Sequence, residues 1–242
     1  MQRIALGSIA LMVTVWGCAT PSRTPSRPLP PPPLTIRPPK PVVPVPPPKP
    51  APAEPVWRAP RAWYPSGGVE RGRWTTIVVH HSDSPKSSPQ GIDSWHRQRG
   101  WQHGLGYHFV IGNGVNYPDG QVYVGQRWTR QQTGAHCKST AGRYFGRYCP
   151  SNYFNERGIG ICLIGDFESG RPTAAQLESL ERLIAFLCEQ CDISTERIYG
   201  HREVTRKTLC PGRYCNMDAI RRSARLAVMR YGGTAAASSM GN

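Results

Sequence analysis

Gly200-His201-Arg202-Glu203-Val204 runs on to Lys207-Thr208-Leu209-Cys210-Pro211-Gly212, so an imidazole and a thiol stand at the two ends of one short loop stiffened by Pro-Gly. Imidazole nitrogen and thiolate sulfur are zinc donors, and a zinc site built for chemistry takes three protein ligands and leaves a fourth position to water. The loop offers two, so a third must come from elsewhere. The apolar run Trp74-Thr75-Thr76-Ile77-Val78-Val79-His80-His81 reads as a buried strand that delivers a histidine at its carboxyl end. Side chains alternate across a strand, so only one of His80 and His81 faces a given site. A competing metal reading draws on the thiols: Cys188-x-x-Cys191 with Cys210 and Cys215 would make a structural four-thiolate zinc. It would take Cys210 away from the three-ligand set, and Cys188 and Cys191 fall on a continuous helical pattern. In an exported chain such thiols tend to oxidise, and a disulfide from Cys215 to Cys188 or Cys191 is the expectation.

The segments Val79-His80-His81-Ser82, Gly106-Tyr107-His108-Phe109-Val110-Ile111, Gly134-Ala135-His136, Gly158-Ile159-Gly160-Ile161 and the loop from His201 to Cys210 follow one another in a telling order. The set resembles the zinc N-acetylmuramoyl-L-alanine amidases, a group that also holds the amidase-type phage lysozymes and the animal peptidoglycan recognition proteins. The resemblance spans about Trp74 to about Cys215 and implies a single α/β domain with a central mixed β-sheet flanked by helices. It implies Zn2+ as cofactor, held by His80, His201 and Cys210, with His81 turned to the opposite face. Tyr107 is implied as a catalytic residue that hydrogen-bonds water on the metal or the scissile carbonyl. Thr208, two positions before the last ligand, is implied as a donor to the oxyanion, with Lys207 as the alternative because this loop is longer than in phage members. His136 is implied on the rim of the site, where it meets substrate; Trp101, in the loop before the second strand, either lines the same cleft or covers the sheet. Some intracellular amidases of this superfamily carry a glutamate general base in the stretch matching Gly158 to Gly165. Here Cys162 stands in that stretch, best read as a buried small hydrophobe. The implied reaction is hydrolysis of the amide between N-acetylmuramic acid and L-alanine in peptidoglycan or muropeptides. The alternative is a receptor of the same fold that binds peptidoglycan without cutting it; such members typically lose the cysteine ligand, and Cys210 is present.

The elements that must position these residues have their own signals. A helix is expected with Ser87 or Ser88 as cap and Pro89 in the first turn, running to Arg99, with Ile92, Trp95 and His96 along its core side. Tyr107 to Gly112 and Gln121 to Gly125 read as an antiparallel pair joined through Gly112-Asn113-Gly114. Cys137 and Cys149 bracket a basic, aromatic loop, and a disulfide between them is expected to add about 3 kcal/mol. Gly158 to Gly165 is a continuous apolar run, as for a strand covered on both faces. Thr173 caps a periodic helix with Leu177, Leu180, Ile184, Leu187, Cys188 and Cys191 on one face, and an amphipathic helix runs from about Met217 to Tyr231.

Composition divides the chain. Residues 1–17 have the charged start and short apolar stretch of a signal peptide. Val15-Trp16-Gly17-Cys18 resembles a lipobox, which implies acylation of Cys18 and an outer-membrane lipoprotein facing the periplasm, or a periplasmic or secreted protein if Cys18 is not acylated. Residues 18–60 are dominated by proline and expected to form an extended spacer. Residues 61–231 carry the core-forming side chains of the zinc domain, and 232–242 read as a flexible tail. The net charge of +15 suits nucleic acid, anionic lipid or an acidic polymer such as a cell wall. No nucleic-acid module is recognisable, so nucleic acid is not an expected partner, and a monomer is the expected state.

Overall fold

The computed structural model describes residues 57–231. The expected signal peptide, Cys18, nearly all of the proline-rich spacer and the tail lie outside the described residues. Strands β1 (Thr76–His81), β2 (Phe109–Ile111), β3 (Val122–Val124), β6 (Gly158–Leu163) and β7 (Ile198–Gly200) form one sheet in the order β3-β2-β6-β1-β7. All neighbours are parallel except β2 and β3, so the sheet is mixed, as expected. β6 is its central strand and every residue in it is buried, which is what its unbroken apolar run requires.

The two faces of the sheet do different work. Ile77, Val79, Phe109, Ile111, Ile159, Ile161, Leu163 and Ile198 point into the main core, where helices α4 (Ala174–Cys191) and α6 (Met217–Tyr231) pack on them and on each other. Thr173 caps α4 through a reciprocal pair: its hydroxyl accepts from Gln176 N–H at 3.0 Å while Gln176 Oε1 accepts from Thr173 N–H at 3.1 Å. The buried Gln176 amide also donates to the carbonyls of Ile111 and Ile164, which ties the start of α4 to the ends of β2 and β6. On the other face Val78 and His80 of β1 look away from that core, and helix α1 (Pro89–Gln98) sets Ile92 against Val110, Cys162 and Ile164. Ser88 caps α1 by accepting from Gly91 N–H at 3.0 Å, with Pro89 in its first turn.

Three expectations are corrected. Trp95 is 53 % exposed: Ile92 and His96, one turn apart, take the core side of α1, and Trp95 is rotated off that line with the Arg99 guanidinium 4.8 Å above its ring. The second strand begins only at Phe109, so Tyr107 precedes it. The expected disulfides are absent among the described residues, where Cys137, Cys149, Cys162, Cys188, Cys191, Cys210 and Cys215 are all buried free thiols. They pack as small apolar groups, Cys188, Cys191 and Cys215 in the main core and Cys137 and Cys149 in a second cluster, and burial raises the thiols of Cys188, Cys191 and Cys215 to about 12. The loop between Cys137 and Cys149 is instead held by the hairpin of β4 (Gly142–Tyr144) and β5 (Arg147–Cys149), with Tyr144 edge-on to Phe154 and Phe145 against Tyr199.

Candidate metal centre

β1 and β7 run parallel with Val79 opposite Gly200, so the residue that follows β7 emerges beside the end of β1. That residue is His201, the first of the short helix α5 (His201–Val204), and its ring centroid lies 4.6 Å from that of His80. Glu203 anchors the turn: its carboxylate accepts from Gly200 N–H at 2.7 Å and pairs with Arg221 through two contacts of 3.0 and 3.1 Å. The chain then folds back, with Arg202 N–H donating to the Cys210 carbonyl at 2.6 Å and Cys210 N–H donating to Thr208 Oγ1 at 3.1 Å. Gly212, at φ +94, closes the loop against Phe167 where an added Cβ would lie 2.4 Å from a backbone carbon. Glycine is required there on both counts.

This folding brings one ligand atom each from His80, His201 and Cys210 within 4.8 Å of one another, at the carboxyl end of the sheet. The spacing suits one ion with bonds of about 2.0–2.3 Å. Cys210 Sγ lies 3.7 Å from His80 Nδ1 and accepts from His81 N–H at 3.3 Å. Burial drives His80 well below its ordinary 6.5, reinforced by His201, His136 and His81, and lowers His201 to about 4, so both offer neutral lone pairs. Burial also raises the Cys210 thiol to about 12, against a smaller lowering by His81 N–H. Two neutral imidazoles and a desolvated thiol that becomes an anion only with a cation beside it fit a borderline-soft divalent ion. The four-thiolate alternative fails among the described residues, because Cys188, Cys191, Cys210 and Cys215 do not form a common ligand cluster.

A second cluster, His81, Asp83 and Asp166, is also compact. His81 Nδ1 accepts from Phe167 N–H at 3.1 Å, so in the neutral ring Nε2 carries the proton and faces Asp83 at 3.7 Å. That nitrogen has no lone pair to offer a metal.

Around the three donors, Tyr107 is half-buried with its ring 5.0 Å from that of His80. Burial, then the thiols of Cys162 and Cys210, raise its phenol well above 10, so it is a neutral O–H donor throughout the working range. Cys162, whose thiol contributes to that rise, sits opposite His80 in the ladder. The Cys162 thiol is itself pushed well above 9 by burial, so β6 supplies no proton acceptor. Lys207 is exposed, and Thr208 is the loop hydroxyl tied to the backbone of Cys210.

His136 is not on a rim: it is 7 % exposed and lies behind His80, with Nδ1 3.0 Å from His80 Nε2. The Asn155 side-chain carbonyl accepts from both His136 N–H (2.8 Å) and Cys137 N–H (2.7 Å), which draws this segment beneath the site. Trp101 stacks on His96 at 4.2 Å and is not among the residues lining the groove next to Tyr107. That groove, of about 310 Å3, is lined by Ser82, Asp83, Ser87, Trp95, His96 and Tyr107. The sequence reading assigned Trp95 and His96 to core packing; their place two turns after the Ser88 cap, on the helix beside the segment that carries Tyr107 into β2, was the available signal.

Among known proteins, the family profile described as N-acetylmuramoyl-L-alanine amidase, Amidase_2, matches residues 70–213, more than half of the chain. Peptidoglycan-recognition protein LB of Drosophila melanogaster is 30% identical over 147 residues, 56% of this chain and 53% of that protein. Peptidoglycan-recognition protein 2 of Holotrichia diomphalia is 28% identical over 145 residues, 56% of this chain and 66% of that protein. The chain thus spans about half to two thirds of the length of these curated relatives. The solved endolysin N-acetylmuramoyl-L-alanine amidase LysCS from Clostridium intestinale URNW is 31% identical, with a TM-score of 0.51 over 63% of this chain and 84% of its own. With the match running through both the strand end that carries His80 and the loop that carries Cys210, the chain belongs to the N-acetylmuramoyl-L-alanine amidase family.

Proposed function

We propose that this domain is a Zn2+-dependent amidase that hydrolyses the bond between N-acetylmuramic acid and L-alanine in peptidoglycan or its muropeptide fragments. The observation that carries the proposal is the convergence of His80, His201 and Cys210 at the carboxyl end of the sheet. A zinc ion held there would supply Lewis acidity and an open position for water at neutral pH. The chain supplies the rest. Tyr107, neutral and beside His80, is placed to donate to an amide oxygen as it gains negative charge. Thr208 holds the backbone of Cys210, and its hydroxyl proton remains available as a second donor. The groove beside Tyr107, with Trp95 and His96 on its α1 side, would give the substrate a bed next to the ring that lies 5.0 Å from that of His80.

A second reading is favoured by the relatives named as peptidoglycan-recognition proteins: binding of peptidoglycan without cleavage. The complete donor set argues for catalysis, since binding alone has no use for a thiol ligand. Mass spectrometry of muropeptides incubated with the protein, with and without chelator, separates the two. Free stem peptides that appear only with metal support the amidase; intact muropeptides retained on the protein in both conditions support the receptor. We further propose that Cys18 is acylated and tethers the domain, through the proline-rich segment, to the outer membrane facing the periplasm. Incorporation of a labelled fatty acid that is lost in Cys18→Ala tests this.

A further inference from the structure

We infer that His136 is a positioning residue that sets the tautomer of His80, so that His80 presents Nδ1 to the metal position. The inference rests on the metal-dependent reading above and concerns a side chain that touches none of the reacting atoms. The Gly158 carbonyl oxygen lies 3.2 Å from His136 Nε2. A carbonyl only accepts, so that nitrogen carries the proton. In the neutral ring Nδ1 is then a bare acceptor, and it faces His80 Nε2 at 3.0 Å. His80 must therefore donate from Nε2, which leaves its lone pair on Nδ1, the atom 3.7 Å from Cys210 Sγ. One backbone carbonyl on β6 thereby dictates, through two rings, which nitrogen meets the metal. Metal-binding histidines are commonly oriented by such an outer partner, and its loss costs about 10–100-fold in metal affinity.

The surroundings of His136 are built for an imidazole. Its ring lies between Gly134 and Gly160, where a Cβ on either would fall 2.5 Å from His136 Cδ2. Its backbone is pinned by Asn155. The neighbouring His108 has a closed set of partners: Nδ1 accepts from Gly160 N–H at 2.9 Å and Nε2 donates to the Gln132 carbonyl at 3.1 Å. It packs edge-on at 5.7 Å from His136 without competing for the His80 contact.

Two measurements on the full-length protein test this. Two-bond proton–nitrogen correlation spectra of the metal-free protein at neutral pH should show His80 protonated at Nε2 and bare at Nδ1; the reverse tautomer overturns the inference. His136→Phe fills the slot without a nitrogen, and its zinc affinity, read by competition with a chromophoric chelator, should fall about 10–100-fold. An affinity within twofold of wild type overturns the inference while leaving the amidase reading intact. A wild-type chain with no zinc affinity overturns both. Should His136→Phe fail to fold, the tautomer spectrum of the wild type decides alone.

Discussion

Gly160→Ala is a sharp test of how the sheet houses the site, because it adds one methyl group at a place where nothing but space is at issue. Gly160 is not among the positive-φ residues, so alanine meets no backbone strain there. The new Cβ would lie 2.5, 2.6 and 2.9 Å from Cδ2, Cγ and Nδ1 of His136. Ordinary contact starts near 3.4 Å, so the ring has to retreat by roughly 1 Å, and a 3.0 Å bond to His80 stretched that far passes the limit of a hydrogen bond. Overpacking of this kind costs about 1–3 kcal/mol, and the lost buried hydrogen bond adds about 1 kcal/mol. Relief of glycine's entropy returns about 0.5–1 kcal/mol, so the net loss should be about 1–3 kcal/mol. Urea unfolding with chelator present, at constant m, measures it without any contribution from metal.

The decisive comparison is the same substitution in a His136→Ala background. With the ring gone the methyl group has room, so Gly160→Ala should become neutral or stabilising, with a coupling of about 1.5 kcal/mol or more between the two positions. If Gly160→Ala costs as much without the ring as with it, the clash lies elsewhere and the reasoning about the slot is wrong.

Other outcomes follow from the same geometry. Cys210→Ala should abolish zinc retention through dialysis together with muropeptide cleavage; retained metal at wild-type affinity would remove Cys210 from the donor set. Tyr107→Phe should lower kcat by about 10²–10³ with zinc affinity within twofold of wild type, if the phenol acts on the developing oxyanion as proposed; an equal fall in zinc affinity would make Tyr107 a scaffold residue. Stability of the metal-free protein should fall as pH drops from about 6.5 towards 4. Burial lowers His96 to about 4 and His108 to about 3 in the fold, so below their ordinary 6.5 the unfolded chain takes up protons first. The contribution is complete above 6.5 and is lost towards the folded values, with a slope of up to about 1.4 kcal/mol per pH unit for each ring. Urea midpoints at pH 7.5, 6 and 5 measure it, and a flat or rising profile would contradict neutral burial of the two rings.

What the sequence made legible was whatever short-range rules encode. Strand alternation separates His80 from His81, Thr173 announces the start of α4, and the unbroken apolar run marks β6 as the central strand. In the donor set, a histidine near the end of β1 and His201 just after β7 were legible because parallel pairing brings those ends together, while the choice of His80 over His81 came from the family resemblance. The depth of His136 was not legible, since its slot is made by Gly160 and Asn155, brought to it only by the fold. Trp95 was misread for a related reason: periodicity tells which residues share a side of α1 but not where cover over that side ends.

One further signal was present and its meaning lay elsewhere. Glycine inside a central strand weakens it, and two at alternate positions, Gly158 and Gly160, need a reason on the face they share. That face is the one His80 occupies on the adjacent strand. Gly160 has no side chain so that the ring of His136 can lie against the strand; at Gly158 a Cβ would fall 2.4 Å from the Phe154 carbonyl oxygen, and the Gly158 carbonyl faces the same ring. The glycines of β6 therefore belong to the site as much as the imidazoles do: they form the floor on which an inner histidine aims an outer one. A family member that keeps the three donors but fills the position of Gly160 with a larger side chain should need a different means of orienting its first histidine.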